Sequence, residues 1–202
     1  SGTTVPSLHE VRVNRNTPAR ETIAPEDAIE PLLAFGLDTP SGSIPADVVE
    51  RTKLAILDTL GAMLAAVKGE GMTALADLLG EWGGASQATE LVRGRRLPMV
   101  LATQLNATAG RAWDLDDVHE QNTCHVTVNT IPAAFAVAEG RGPRSGLDLI
   151  AAIAVGSELM CRVTDAPRIG FSETGSAMSY QCGFYGAALT AARLLGLSRD
   201  QA

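Results

Sequence analysis

Apolar residues recur along most of this chain at steps of three and four, the spacing of one helical face. In the segment PADVVERTKLAILDTLGAMLAAVKG, Val49, Ile56, Leu60, Met63 and Val67 form such a series, with Leu57 and Leu64 beside them. Its second half is apolar nearly all round, which predicts a central helix starting at Pro45 and closed by Gly69. A shorter helix opens at Pro25-Glu26-Asp27, with acids in the first turn, and ends near Gly36. MTALADLLGEW, residues 72 to 82, predicts another. PMVLATQLNATAGRAW, residues 98 to 113, carries Leu101, Leu105, Ala109 and Ala112 on one face. Pro132 predicts the start of AAFAVAEG, ending at Gly140. Ser145 caps SGLDLIAAIAVGSELMCRV, where Ala151, Ala152, Ala154 and Gly156 suit close helix contacts. SYQCGFYGAALTAARLLG forms the last long helix, stopped by Gly196.

Polar punctuation separates these helices. TPSGSIP, GGASQ, RGPRSG and TDAPRIGFSETGSA read as loops, and ATELVRGRRLP as a short extended piece. The architecture is all-α, a helical bundle-like domain with one minor strand at most. Residues 1–24 are polar and aperiodic and read as a flexible leader, in which His9 is a solvated bystander. Residues 25–202 form the domain. SRDQA at the end resembles a helix beginning, with Ser198 as its cap. The expectation is that the domain continues in a further segment or a partner chain.

Composition narrows the function classes. Hydrophobic residues are 46% of the 202 and charged residues 19%, which suits a buried core rather than disorder. The net charge of −7 repels nucleic acid and anionic membranes. No apolar run reaches the roughly 18 residues of a membrane span. Cys124, Cys161 and Cys182 are odd in number and show no CxxC spacing, so neither a disulfide framework nor a zinc site is expected. A cytoplasmic location follows as an expectation from that reduced set and from an N-terminal segment without a signal-peptide core.

Chemistry concentrates in DLDDVHEQNTCH, residues 114 to 125. Asp114, Asp116, Asp117, Glu120, His119 and His125 crowd twelve positions between apolar segments. Like charges and the negative end of the preceding helix should raise carboxylate pKa values, which suits proton transfer near neutral pH. If the helix continues, Asp114 and Asp117 share a face, and His125 returns to them through the QNT turn. Asn122, Thr123, Thr127, Asn129 and Thr130 add hydrogen-bonding groups. Solvated acids between helices are the ordinary alternative. Arg111 and Arg162 are candidate anion partners, with surface ion pairing as the plainer role. A divalent ion is a further reading, although no HExxH or EF-hand spacing occurs. DLDD also has the DxDD pattern of a terpene-type cyclase, and DDVHE resembles a diphosphate-binding DDxxE. Cys124 beside His125 would point to the opposite face of an extended segment, so it reads as a buried thiol.

The ordered series LAILDTLGAMLAA, NATAGRAWDLDD, CHVTVNTIPAAFAVAEG, SGLDLIAAIAVGSELMCRV and GAALTAARLLGLSRDQA resembles the N-terminal helical part of the MmgE/PrpD family. That resemblance implies a large helical domain followed by a smaller lid domain, which is absent from this chain. It implies a cofactor-independent, metal-free lyase or isomerase of small di- or tricarboxylates: a dehydratase, decarboxylase or epimerase. It implies a dimer or hetero-oligomer, here completed by a second chain carrying the lid half with its catalytic lysines. Asp114 matches the first aspartate of the family's DxDD motif, and His125 the histidine that precedes Pro132 by seven residues. By that match Asp114 and His125 are the catalytic acid/base pair. Asp117, Thr127 and Tyr180 are the supporting, substrate-binding groups. Three departures stand out. The step from Asp114 to His125 is one residue longer than in cis-aconitate decarboxylase, Val126 replaces a proline, and Ala177 occupies the place of a second family histidine. A degenerate, non-catalytic binding or scaffold member is the alternative.

Overall fold

The computed structural model describes residues 29–142, 144–167 and 175–202. The leader, His9 and the opening Pro25-Glu26-Asp27 lie outside the described residues. Among the described residues the chain forms α1 (Ile29–Asp38), α2 (Ala46–Ala65), α3 (Met72–Trp82), α4 (Met99–Arg111), α5 (Thr127–Arg141), α6 (Gly146–Asp165) and α7 (Met178–Leu195). Single 3-10 turns lie at Ser41–Ser43 and Arg199–Gln201. The all-α reading holds. No described helix is long and apolar enough to cross a membrane.

The predicted extended piece is a small antiparallel hairpin, β1 (Ala88–Thr89) with β2 (Arg96–Leu97). Its turn wraps a carboxylate. Glu90 is fully buried and accepts the backbone N–H groups of Val92 and Arg93 at 2.9 Å and of Arg95 at 3.0 Å. Asn106 of α4 fastens the hairpin from the other side, accepting from Leu91 N–H and donating to Thr89 C=O.

Terminal signals act where the sequence placed them. The Ser145 hydroxyl accepts Asp148 N–H at 3.0 Å and starts α6. Gly196, at φ 70°, ends α7 in the left-handed conformation that glycine adopts without a Cβ clash. Ser198 and Gln201 form a reciprocal capping box around the final turn. Arg193 of α7 covers the C-terminal end of α1, donating to the carbonyls of Gly36 and Thr39 at 2.8 and 2.6 Å. Arg199 pairs with Glu30 and Asp38 on the same helix.

Two expectations are corrected. Helix α5 begins at Thr127, and Pro132 lies inside it. An internal proline removes one N–H and crowds the preceding turn. Here that turn is held by side chains instead: Asp117 takes the N–H and hydroxyl of Thr127, and Asn129 donates to His125 C=O at 2.9 Å. The second correction concerns the centre of the bundle. Helix α5 occupies it, touching α2, α4, α6 and α7, with Val128, Ile131, Ala134 and Val137 buried. Helix α2 buries Thr52, Thr59, Ala62 and Met63 but leaves Leu54, Leu57 and Leu64 exposed. Nothing else in the described chain packs on that stripe.

Helices α6 and α7 cross closely at Gly156 and Gly186, with the Thr190 hydroxyl donating to Ala152 C=O across the contact. A Cβ on Gly156 would stand 2.0 Å from Thr190 Oγ1 and 2.9 Å from the backbone oxygen of Gly186. The hydroxyl can rotate, but the backbone oxygen cannot. Gly156→Ala is therefore expected to destabilise the fold by about 1–3 kcal/mol, the usual range for overpacking. Urea unfolding measures this, and an unchanged midpoint would contradict the close crossing.

Candidate active site

The acidic stretch leaves α4 at Arg111 and reaches α5 at Thr127 through a compact loop. His119 and Cys124 pair across it: His119 N–H donates to Cys124 C=O at 2.7 Å. Thr123 turns the chain at φ 56°. His119 Nε2 and Asn122 Nδ2 lie 3.0 and 2.6 Å from Asp165 Oδ1, at the end of α6. Beneath the loop, Cys124, Val126, Met160, Met178 and Cys182 form a small apolar cluster. Cys124 is thus a floor residue. Burial pushes its thiol, and that of Cys182, above the ordinary value, and pushes Cys161 up to about 12.

Asp114 and His125 come together. Asp114 adopts φ 56°, a left-handed conformation that aspartate tolerates better than most residues. Its Oδ1 lies 3.6 Å from His125 Nε2. On the other side of the ring, His125 Nδ1 lies 3.1 Å from Asp116 Oδ2. The carboxylates differ sharply in setting: the Asp114 side chain is 73% exposed and that of Asp116 0%, with His125 at 10%. Arg111 bridges them, hydrogen-bonding to Asp114 and, at 2.9 Å, to Asp116 Oδ1. The His125 main chain is pinned as well, its backbone N–H donating to Ser179 Oγ at 2.7 Å.

The expected rise in carboxylate pKa is not what the site shows for Asp114. The hydrogen bond and charge of Arg111 hold it below the ordinary range. Burial works against the charged form of Arg111, but hydrogen bonds and attraction from Asp114 and Asp116 outweigh it and raise its pKa. A depressed carboxylate pKa contributes stability above the unfolded value, lost as pH falls through the folded value. Stability should therefore decline below about pH 4, and Asp114→Asn should make that acid limb shallower. Urea midpoints across pH would show it; identical slopes in both proteins would refute it.

Asp117 and Thr127 are brought together but are engaged with each other. Asp117 Oδ1 accepts the Thr127 N–H at 3.0 Å and its hydroxyl proton. Thr127 Oγ1 also lies 2.7 Å from Thr59 Oγ1. Since the Thr127 proton points at the carboxylate, Thr59 is the donor in that pair. The chain Thr59–Thr127–Asp117 fixes the start of α5 to α2. Tyr180 stands one residue beyond Ser179, exposed on the first turn of α7. Glu120 is exposed, and Arg162 pairs with Glu158 on its own helix.

Asp114, Asp116 and His125 offer ligand atoms within 4.8 Å of one another, close enough for a metal ion. Arg111 already pairs with both carboxylates there, so a second cation would meet its repulsion. The sequence marks Asp116 only as one of the acidic cluster and Arg111 only as a candidate anion partner, and it gives neither of them, nor Ser179, a defined place beside His125. The i, i+3 spacing of Arg111 and Asp114 was a usable signal for that pair. Nothing local marks Asp116 as the buried acid.

The fold and its centre define a helical domain whose α4–α5 loop presents a histidine flanked by two carboxylates. Residues 32–202 match the family model of the MmgE/PrpD N-terminal domain, and the chain belongs to the MmgE/PrpD family. It is 34% identical over 170 residues to the cis-aconitate decarboxylase of Aspergillus terreus, covering 78% of this chain and 33% of that protein. Against the human cis-aconitate decarboxylase it is 31% identical over 171 residues, covering 78% and 34%. The chain thus spans about a third of the length of the curated relatives it matches.

Proposed function

We propose that this chain supplies the acid/base centre of an MmgE/PrpD-type lyase or isomerase, moving a proton alpha to a carboxylate or carbonyl of a small polar acid. The observation that carries the reading is His125, nearly buried, with one ring nitrogen against Asp116 and the other toward exposed Asp114. An imidazole can take or give a proton near neutral pH. Asp114, charged and solvent-facing, favours the imidazolium that forms when His125 accepts one. Asp117 and Thr127 support the centre by anchoring α5, and Tyr180 offers a phenol to substrate from the neighbouring turn. Reaction subtype follows from the fate of the carbanion: it expels a beta-hydroxyl as water or regains a proton, whereas decarboxylation forms the carbanion by loss of carbon dioxide and needs the proton delivered to it. The names of the relatives make cis-aconitate the first probe.

Within this chain the centre carries more negative than positive charge. A di- or tricarboxylate would need cations from elsewhere, which favours completion by another body, a lid half on a second chain in a split enzyme. The exposed stripe Leu54, Leu57 and Leu64 on α2, and Tyr180 and Phe184 on α7, supply apolar surface for such a body. Co-purification with a stoichiometric chain resembling the family's C-terminal half supports this arrangement. A stable chain that never acquires one favours the binding or scaffold alternative. Ala177 gives that alternative its one specific support: it caps α7 two residues before Ser179, the partner of His125, where the family's second histidine would stand. The decisive experiment is Asp114→Asn and His125→Gln in the complete assembly, where near-native turnover in both rejects the catalytic reading.

A further inference from the structure

The proton on His125 is fixed by what lies around the ring. Asp116 is enclosed on every side, with Oδ1 taken by Arg111 Nη1 at 2.9 Å. Its Oδ2 is buried and has no well-aligned hydrogen-bond partner, and the same is true of His125 Nδ1, 3.1 Å away. These two desolvated atoms face each other. An ionised carboxylate only accepts, and so does an unprotonated ring nitrogen. With the proton on Nε2, two buried acceptors would meet at 3.1 Å, each uncompensated. With the proton on Nδ1, a small ring rotation satisfies both. Asp114 competes by attracting a proton to Nε2, but it is exposed, 3.6 Å away and already bound to Arg111. Arg111 tempers both carboxylates, but water screens Asp114 as well, whereas Asp116 Oδ2 is closed to water.

We propose that Asp116 is a positioning residue that holds neutral His125 as the Nδ1–H tautomer, leaving the Nε2 lone pair on the open side to take the substrate proton. The catalytic use of that lone pair rests on the proposed function above; the tautomer does not. Arg111 shares in the device. It donates only, so it orients Asp116 by claiming Oδ1 and turns Oδ2 to the ring. Arg111 also dictates what an amide at position 116 would do. In Asp116→Asn the amide oxygen must face Arg111, which turns the NH2 group toward Nδ1. Nδ1 then becomes the acceptor, and the proton moves to Nε2, where it blocks proton abstraction.

The test reads the tautomer directly. Nitrogen-15 histidine labelling of the full chain gives three ring signatures, for His9, His119 and His125. The His125→Gln variant assigns the third by its disappearance. On the alkaline limb of its titration, wild-type His125 is expected as Nδ1–H and that of Asp116→Asn as Nε2–H. In the complete enzyme, Asp116→Asn should lower kcat for exchange of the methylene protons of cis-aconitate, which lie alpha to a carboxylate, with solvent deuterium on the order of 10³-fold with KM little changed, as expected for a wrong tautomer in intact geometry. An Nε2–H wild type overturns the proposal even if the variant fails to fold. So does a variant that keeps its proton on Nδ1, and so does a flipped tautomer with undiminished kcat. Full turnover by His125→Gln would instead reject the proposed function and leave the tautomer result standing.

Discussion

His125→Gln is expected to lower kcat of the complete enzyme on the order of 10³-fold, a loss of about 4 kcal/mol of transition-state stabilisation. Glutamine keeps the length and polarity of the ring but does not titrate. The backbone should stay in place, because His125 N–H and C=O are held by Ser179 and Asn129 rather than by the ring. KM should change little, since the group is proposed to act on the proton and not on ground-state binding. Asp114→Asn should cost less, about 10-fold to 10²-fold, because its carboxylate is exposed and water can replace part of its field. Steady-state kinetics, with circular dichroism to verify folding, decide the matter.

Glu90→Ala is expected to destabilise the chain by about 3 kcal/mol, a larger effect than a surface acid would have. Its carboxylate is fully buried and accepts three backbone N–H groups, with the Arg95 guanidinium 3.4 Å away. Alanine would leave those donors to find water in a turn that also positions β2. Arg93 and Arg95 are partly exposed, so some water can enter, which keeps the estimate modest. Glu90→Gln is the sharper probe. It preserves volume but aims an NH2 group at backbone donors, so it should cost nearly as much. Urea midpoints measure both, and values within about 0.5 kcal/mol of wild type would show that the turn does not depend on its carboxylate.

The helices were legible because their signals are local. The steps from Val49 to Met63, the Ser145 cap and the Gly196 stop act within a turn or two of chain and reappear in place, although α2 ends at Ala65, short of Val67 and Gly69. The start of α5 was not legible. Proline is favoured in a first turn, so Pro132 looked like a beginning. The true beginning at Thr127 depends on Asp117, ten residues upstream and on the far side of a loop. The central position of α2 failed for a related reason: periodicity reports how apolar a helix is, not what covers it. At the site, three aspartates within four positions looked alike. The fold separates Asp116, sealed against Arg111, from Asp114, open to solvent. The same arginine reverses the pKa direction that like-charge crowding suggested for Asp114. That reversal needs a guanidinium three residues earlier and a left-handed aspartate, and only the first of these is written in the residue types.

The clasp of Arg193 on α1 joins residues separated by 157 positions. During synthesis α1 therefore leaves the ribosome long before the guanidinium that covers its carbonyls has been made. Until α7 emerges and docks, water alone must satisfy those carbonyls, and α1 has only its earlier neighbours to hold it. Translation order thus makes a helix built before the rest of the described bundle among the last to settle, and an arrested nascent chain would betray this as cleavage by added protease near Gly36.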